Sequence, residues 1–177
     1  VSLSAISGYS SVSPTVGSIT PRTGGTVKSD NVTVDAPSGA LDSQDSNTGR
    51  MTIQKTTSIP KTNSVKALGN LAYDISMANS SGTAITVLND SITITLTYSA
   101  ADLSTAGISQ ASSSQLSLGY WDSTANTWTT ISTNAATTSD GGVTYTGTTK
   151  HLSDYAPLVS SGSTPPSSPT GLTAAAG

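Results

Sequence analysis

The chain has no cysteine, no phenylalanine and no glutamate, and a single histidine, His151, in 177 residues. Without cysteine there is no disulfide framework, no thiolate metal site and no thiol nucleophile. Without glutamate all ten acidic residues are Asp, so the acidic side chain best suited to helix interiors is missing. Charged residues make up only 10% of the chain and leave a formal net charge of −3, with the seven Lys and Arg scattered from Arg22 to Lys150. Such a distribution offers no basic footprint for nucleic acid or an anionic membrane. No run of eighteen apolar residues occurs, so no membrane span is expected, and no uncut signal peptide is read at the start. Beginning at Val1, the chain reads as a mature or excised product whose export signal is already gone.

What is present favours strands. About one residue in three is Ser or Thr, and Thr, Val and Ile supply β-branched side chains that fit a pleated, half-buried surface. Apolar and hydroxyl side chains alternate with a period of two in Val32-Thr-Val34, Met51-Thr-Ile53, Leu71-Ala-Tyr73-Asp-Ile75-Ser-Met77, Ile92-Thr-Ile94-Thr-Leu96-Thr-Tyr98, Leu116-Ser-Leu118-Gly-Tyr120 and Val143-Thr-Tyr145. Each run has one face for a core and one for water. Turn chemistry separates them at Pro37-Ser-Gly39, Asn47-Thr-Gly49, Asn79-Ser-Ser-Gly82, Asn126 and Asp140-Gly-Gly142, as hairpins and loops require. The pattern predicts an all-β protein, an antiparallel β-sandwich of about eight to ten strands with extended N- and C-terminal arms. One helical turn is expected over residues 99–106, capped by Ser99 and stopped by Gly107.

Three regions follow. Residues 1–23, Ser- and Gly-rich with sparse apolar positions, read as an N-terminal arm or an extra strand; residues 24–159 form the sandwich; residues 160–177 read as a Pro/Ser-rich linker or docking tail. An arm that adds a strand to a neighbour would satisfy an open sheet edge with backbone hydrogen bonds. A homo-oligomer or polymer, or contact with neighbouring domains of a longer chain, is therefore the expected partnership.

From Gly24 to Leu158 the order of features resembles the β-sandwich domain shared by zona-occludens proteins, ankyrins, netrin receptors and many bacterial surface proteins. The matching residues are Gly24-Gly25-Thr-Val27, then Val32-Thr-Val34-Asp-Ala-Pro37-Ser-Gly39-Ala40-Leu41, and later Leu116-Ser-Leu118-Gly-Tyr120-Trp121-Asp122 with Trp128. The closing phrase, Thr148-Thr149-Lys150-His151-Leu152-Ser153-Asp154-Tyr155-Ala156, is the most specific part, although Leu152 and Tyr155 stand where that family usually has Phe. The tail from Pro169 to Ala174 is similar to the opening strand of a fibronectin type III domain. The resemblance implies an extracellular module of a microbial surface or secreted protein.

Candidate chemistry is sparse. His151-Leu152-Ser153 is the one place with a nucleophile beside a possible base, and it resembles the self-cleavage motif of adhesion-receptor autoproteolysis domains. In that reading His151 deprotonates Ser153, whose oxygen attacks the Leu152 carbonyl in a strained turn. The competing reading is architectural: on one strand His151 and Ser153 share a face and make ordinary hydrogen bonds. With no Glu, one His and no Gly-x-Ser-x-Gly elbow, no enzyme acting on an external substrate is expected. Asp42, Asp45 and Asn47 form a loose oxygen cluster that could take Ca²⁺, but a solvated turn explains it better, and no other cofactor is expected. Tyr120, Trp121 and Trp128 could stack on sugar rings in a glycan-binding module, or pack in the core and at its rim. The primary expectation is a noncatalytic structural module that self-assembles as a filament or surface layer; self-cleavage between Leu152 and Ser153 and glycan adhesion are the alternatives.

Overall fold

The computed structural model describes residues 13–42, 48–56, 58–60, 65–108, 116–132 and 135–160. Along these residues run β1 (Thr15–Ile19), β2 (Gly25–Ser29), β3 (Val32–Ala36), β4 (Gly49–Thr56), β5 (Val65–Ala67), β6 (Ala72–Ala78), β7 (Ala84–Ile85), β8 (Val87–Tyr98), α1 (Ala100–Thr105), β9 (Leu116–Asp122), β10 (Thr127–Ser132), β11 (Ala135–Thr137), β12 (Val143–His151) and β13 (Asp154–Ser160). Two antiparallel sheets result. The larger has the order β1-β4-β6-β13-β9-β10, with β5 beside β13 and β7 beside β6; the smaller has the order β11-β12-β8-β3-β2.

The chain is all-β, as the alternation predicts. Ile92, Ile94, Leu96 and Tyr98 on β8 turn into the core while Thr93, Thr95 and Thr97 turn outward, and β3 and β6 alternate in the same way. Thirteen strands appear instead of eight to ten. The surplus comes from β5, β7 and β11, two or three residues each, which are too short to show a period and exist because a longer neighbour offers hydrogen bonds. β1 lies inside the region read as an arm or extra strand, and residues 1–12 and 161–177 of the two arms lie outside the described residues. The helix matches its expectation: Ser99 and Asp102 form a reciprocal capping box, and Gly107 ends it at φ 74°.

The core between the sheets is built without phenylalanine. Tyr98, Tyr145 and Tyr155 are fully buried at its centre, and their hydroxyl groups need partners there. Tyr98 donates to the Leu71 carbonyl at 2.6 Å, and Tyr155 donates to the His151 carbonyl. A second, smaller cluster of Ala72, Trp128, Ala156 and Leu158 lies on the outer face of the larger sheet, with Ile59, Ala67 and Trp121 packed against it.

The chain changes sheets six times, and two of these connections are tight corners that bear on the site. β1 passes to β2 through the turn closed by the paired backbones of Thr20 and Gly24, and β12 passes to β13 through Leu152 and Ser153. At the first corner Gly24 has φ +68°, and a Cβ there would sit 2.0 Å from the Ala36 carbonyl oxygen; Gly39 has φ +86° but open space around it. The two glycines therefore separate conformational strain from steric exclusion. Gly39→Ala should cost about 1–2 kcal/mol, the penalty of a left-handed backbone, and Gly24→Ala more than twice as much by urea unfolding, because backbone must also move. Equal losses at the two positions would contradict this account.

Candidate functional site

The His151-Leu152-Ser153 phrase is a corner rather than one strand. β12, in the smaller sheet, ends at His151, and β13, in the larger sheet, begins at Asp154. The backbone here is well paired: Leu152 N–H donates to Thr86 at 3.2 Å, Ile75 N–H donates to the Ser153 carbonyl at 3.0 Å, and His151 N–H donates to Thr149 Oγ1 at 3.1 Å. The side chains are committed to different neighbours. Ser153 Oγ donates to the Trp121 carbonyl at 2.6 Å, while the exposed His151 ring stacks on Tyr120 with centroids 4.9 Å apart and planes 12° apart. Among the described residues Asn126 is the one non-glycine with positive φ, so this corner stores no left-handed strain.

Register places the aromatic candidates on two different faces. Tyr120 points into the main core, where it also leans on Tyr155, and Trp121, the next residue on β9, points outward. Trp121 stands opposite Trp128 on β10, and the two indoles meet edge to face with centroids 5.8 Å apart. Trp128 is buried and donates its Nε1 hydrogen to the Pro60 carbonyl at 3.1 Å. Trp121 is half-buried. The structure thus brings Trp121 and Trp128 together and sets Tyr120 behind them.

The outward row continues with residues that the sequence reading did not single out. Asp74 on β6 is opposite both Asp154 on β13 and Gln54 on β4, and the pairing of Tyr155 with Tyr120 puts Asp154 next to Trp121. Gln54, Asp74, Asp154, Trp121 and Trp128 therefore form one line across five strands, about 19 Å long at the usual spacing between strands. Two carboxylates directly opposite on one face repel each other. Asp154 is pushed up to about 6, first by burial and then by the Asp74 charge. Asp74 is also raised by burial, against a weaker opposing effect of the hydrogen bond from Ser76. The alternation Tyr73-Asp74-Ile75 marks Asp74 as outward from sequence, but its meeting with Asp154 depends on a pairing between strands eighty residues apart.

Of the proposed calcium ligands, Asp42 is exposed at the end of the Pro37–Leu41 bend, and Asp45 and Asn47 lie outside the described residues. Among the described residues no three His, Cys, Asp or Glu side chains gather as a metal site would need, and no helix is long and apolar enough to cross a membrane. Comparison with protein-family models, with curated proteins and with solved structures finds no match.

The carboxylate pair sets a pH dependence of stability. Between the ordinary Asp value near 4 and about 6, folded Asp154 keeps a proton that the unfolded chain has released. Stability from this group is complete below the unfolded value and is lost as pH rises through about 6. The thermal midpoint of wild-type protein should fall between pH 4.5 and pH 7.5 relative to that of Asp154→Asn, measured by circular dichroism. Parallel pH profiles for the two proteins would show that the pair is not strained.

Proposed function

We propose that the chain is a noncatalytic structural module of a microbial surface or secreted protein, and that it self-assembles by strand or arm exchange. The observation that supports this reading is a sheet edge with little protection. Sheet edges in folded proteins are usually blunted by shortness, charge, proline or distortion. β11 has three residues, β2 carries Lys28, and β1 follows Pro14. By contrast β10, Thr127-Trp-Thr-Thr-Ile-Ser132, has six residues with no charge and no proline, and among the described residues it pairs with β9 alone. Its protection is a register shift near Thr130. A strand from a second copy could continue the larger sheet there through backbone hydrogen bonds.

The surface composition fits close lateral packing. On the smaller sheet the outward hydroxyl groups of Thr97 and Thr144 lie 3.0 Å apart, and those of Thr95 and Thr146 lie 3.4 Å apart. Neutral side chains that satisfy one another across β8 and β12 leave an uncharged strip with little to repel a neighbour. The extracellular assignment rests on the Ser/Thr-rich, cysteine-free composition and on the resemblance carried by Gly24–Leu158. For the His-Leu-Ser phrase, the separate commitments of Ser153 and His151 favour an architectural role over self-cleavage.

Thr130 is exposed and faces the outer side of β10, so Thr130→Lys puts a charge on this edge without entering the core. Light scattering and electron microscopy at rising concentration should show polymers of wild-type protein, with one intact 17.7 kDa species under denaturing conditions, and mostly monomer for Thr130→Lys. A strict wild-type monomer, or assembly unaffected by the lysine, would remove the reading; two fragments divided after Leu152 would replace it with self-processing.

A glycan-binding reading is favoured by one observation, the row of Gln54, Asp74, Asp154 and Trp121. An indole face beside hydrogen-bonding side chains can take the C–H face and the hydroxyl groups of a sugar together. Soluble polysaccharides should then change tryptophan emission in wild-type protein, and Trp121→Ala should abolish the change. Unaltered wild-type emission across a polysaccharide panel would rule this reading out.

A further inference from the structure

A cavity of about 280 Å³ opens where parts of both sheets and α1 meet, on the opposite face of the larger sheet from the tryptophan row. Its walls carry opposite charge. From the β2–β3 turn come Asp30 and Asn31, and from the first turn of α1 comes Asp102; from β4 on the larger sheet comes Lys55, with Tyr73 of β6 on the floor. Lys55 is the Cα partner of Tyr73, whose side chain belongs to the core, so the lysine leaves the inner face of its sheet and lies half-buried at the cavity wall. Inward lysines are uncommon in sandwiches unless something receives the ammonium group. No ion pair joins Lys55 to either carboxylate.

The acidic wall is held in place. Asp102 Oδ2 accepts from Ser99 N at 2.9 Å, from Ser99 Oγ at 2.7 Å and from Asn31 Nδ2 at 3.5 Å. These donors all converge on one carboxylate oxygen. Tyr73 records the local field: its hydroxyl is pushed up to about 12 by burial first and then by Asp102 and Asp30. A bare cation entering this cavity meets Lys55, and a bare anion meets two carboxylates. A molecule with a positive end and a negative end satisfies both walls at once, which is charge complementarity in its simplest form.

We propose that this cavity binds a small zwitterion of free amino-acid size, with its ammonium group at Asp30 and Asp102 and its carboxylate at Lys55. The volume, below that of drug-sized pockets, limits the ligand to a few heavy atoms beyond the two charged groups. The site does not depend on the assembly reading, and its test uses dilute monomeric protein.

The experiment is a titration followed by amide NMR at the Ser29–Asn31 turn and the Asn31 side chain. The probes are glycine, β-alanine and γ-aminobutyrate, with ethylammonium and acetate as single-charge controls. At least one zwitterion should bind about tenfold more tightly than either control. Lys55→Met should abolish that advantage, weakening the zwitterion and strengthening ethylammonium, which then meets no ammonium group in the cavity, and Asp30→Asn should weaken the zwitterion and ethylammonium together. Asp30 lies on an exposed turn, so its variant tests the site even if Lys55→Met disturbs packing. Ethylammonium binding as tightly as every zwitterion would overturn the proposal, as would the absence of shifts for all probes up to about 50 mM, where a millimolar Kd would give near-saturation.

Discussion

Three tyrosine rings occupy the space that phenylalanine fills in many sandwiches, and burying them forces hydroxyl groups into a dry interior. An unsatisfied hydroxyl there would cost about 1–3 kcal/mol, so the backbone must offer acceptors at fixed points. Two of these bonds join the halves of the molecule. Tyr98, on the smaller sheet, reaches the Leu71 carbonyl at the start of the β6 region in the larger one, and Tyr155 on β13 reaches back to the last residue of β12. The stacking of the sheets is thus specified by directional bonds as well as by apolar contact. The corner at Leu152–Ser153 inherits that geometry, and so do the positions of His151 and Ser153.

At that corner the serine hydroxyl and the histidine ring are engaged with different partners. Nucleophilic chemistry needs the hydroxyl and the base to share a proton. Here each has its own partner on β9: the serine hydroxyl donates to the Trp121 carbonyl and the histidine ring stacks on the face of Tyr120. The outward row has a different character. Asp74 and Asp154 are kept adjacent despite mutual repulsion, and the apolar cluster of Trp128, Ala156 and Leu158 fixes the edge beside them. The indoles of that row both cover the sheet and border its polar strip.

Much of this architecture can be read from periodicity. Runs such as Ile92–Tyr98 declare both their strand and their buried face, and Ser99 with Asp102 and Gly107 declares a short helix. The bend at Pro37–Leu41 is legible too, since Gly39 takes positive φ and Ala40 and Leu41 return to the core. Short strands escape such a reading because two or three residues have no period. The arrangement of the candidate sites escapes it for another reason. Trp121 meets Trp128, and Asp74 meets Asp154, through register alone. Lys55 looks like an ordinary surface charge until its pairing with Tyr73 turns it inward.

The position of β13 bears on how the molecule responds to being pulled. β13 lies between β6 and β9, bonded on both sides, whereas β1 is an edge strand bonded only to β4 within its sheet. Tension entering beyond Ser160 meets two ladders at the centre of the larger sheet, while tension entering before Thr15 meets one. The sandwich is mechanically polar: its first described strand can peel away while its last still anchors the fold.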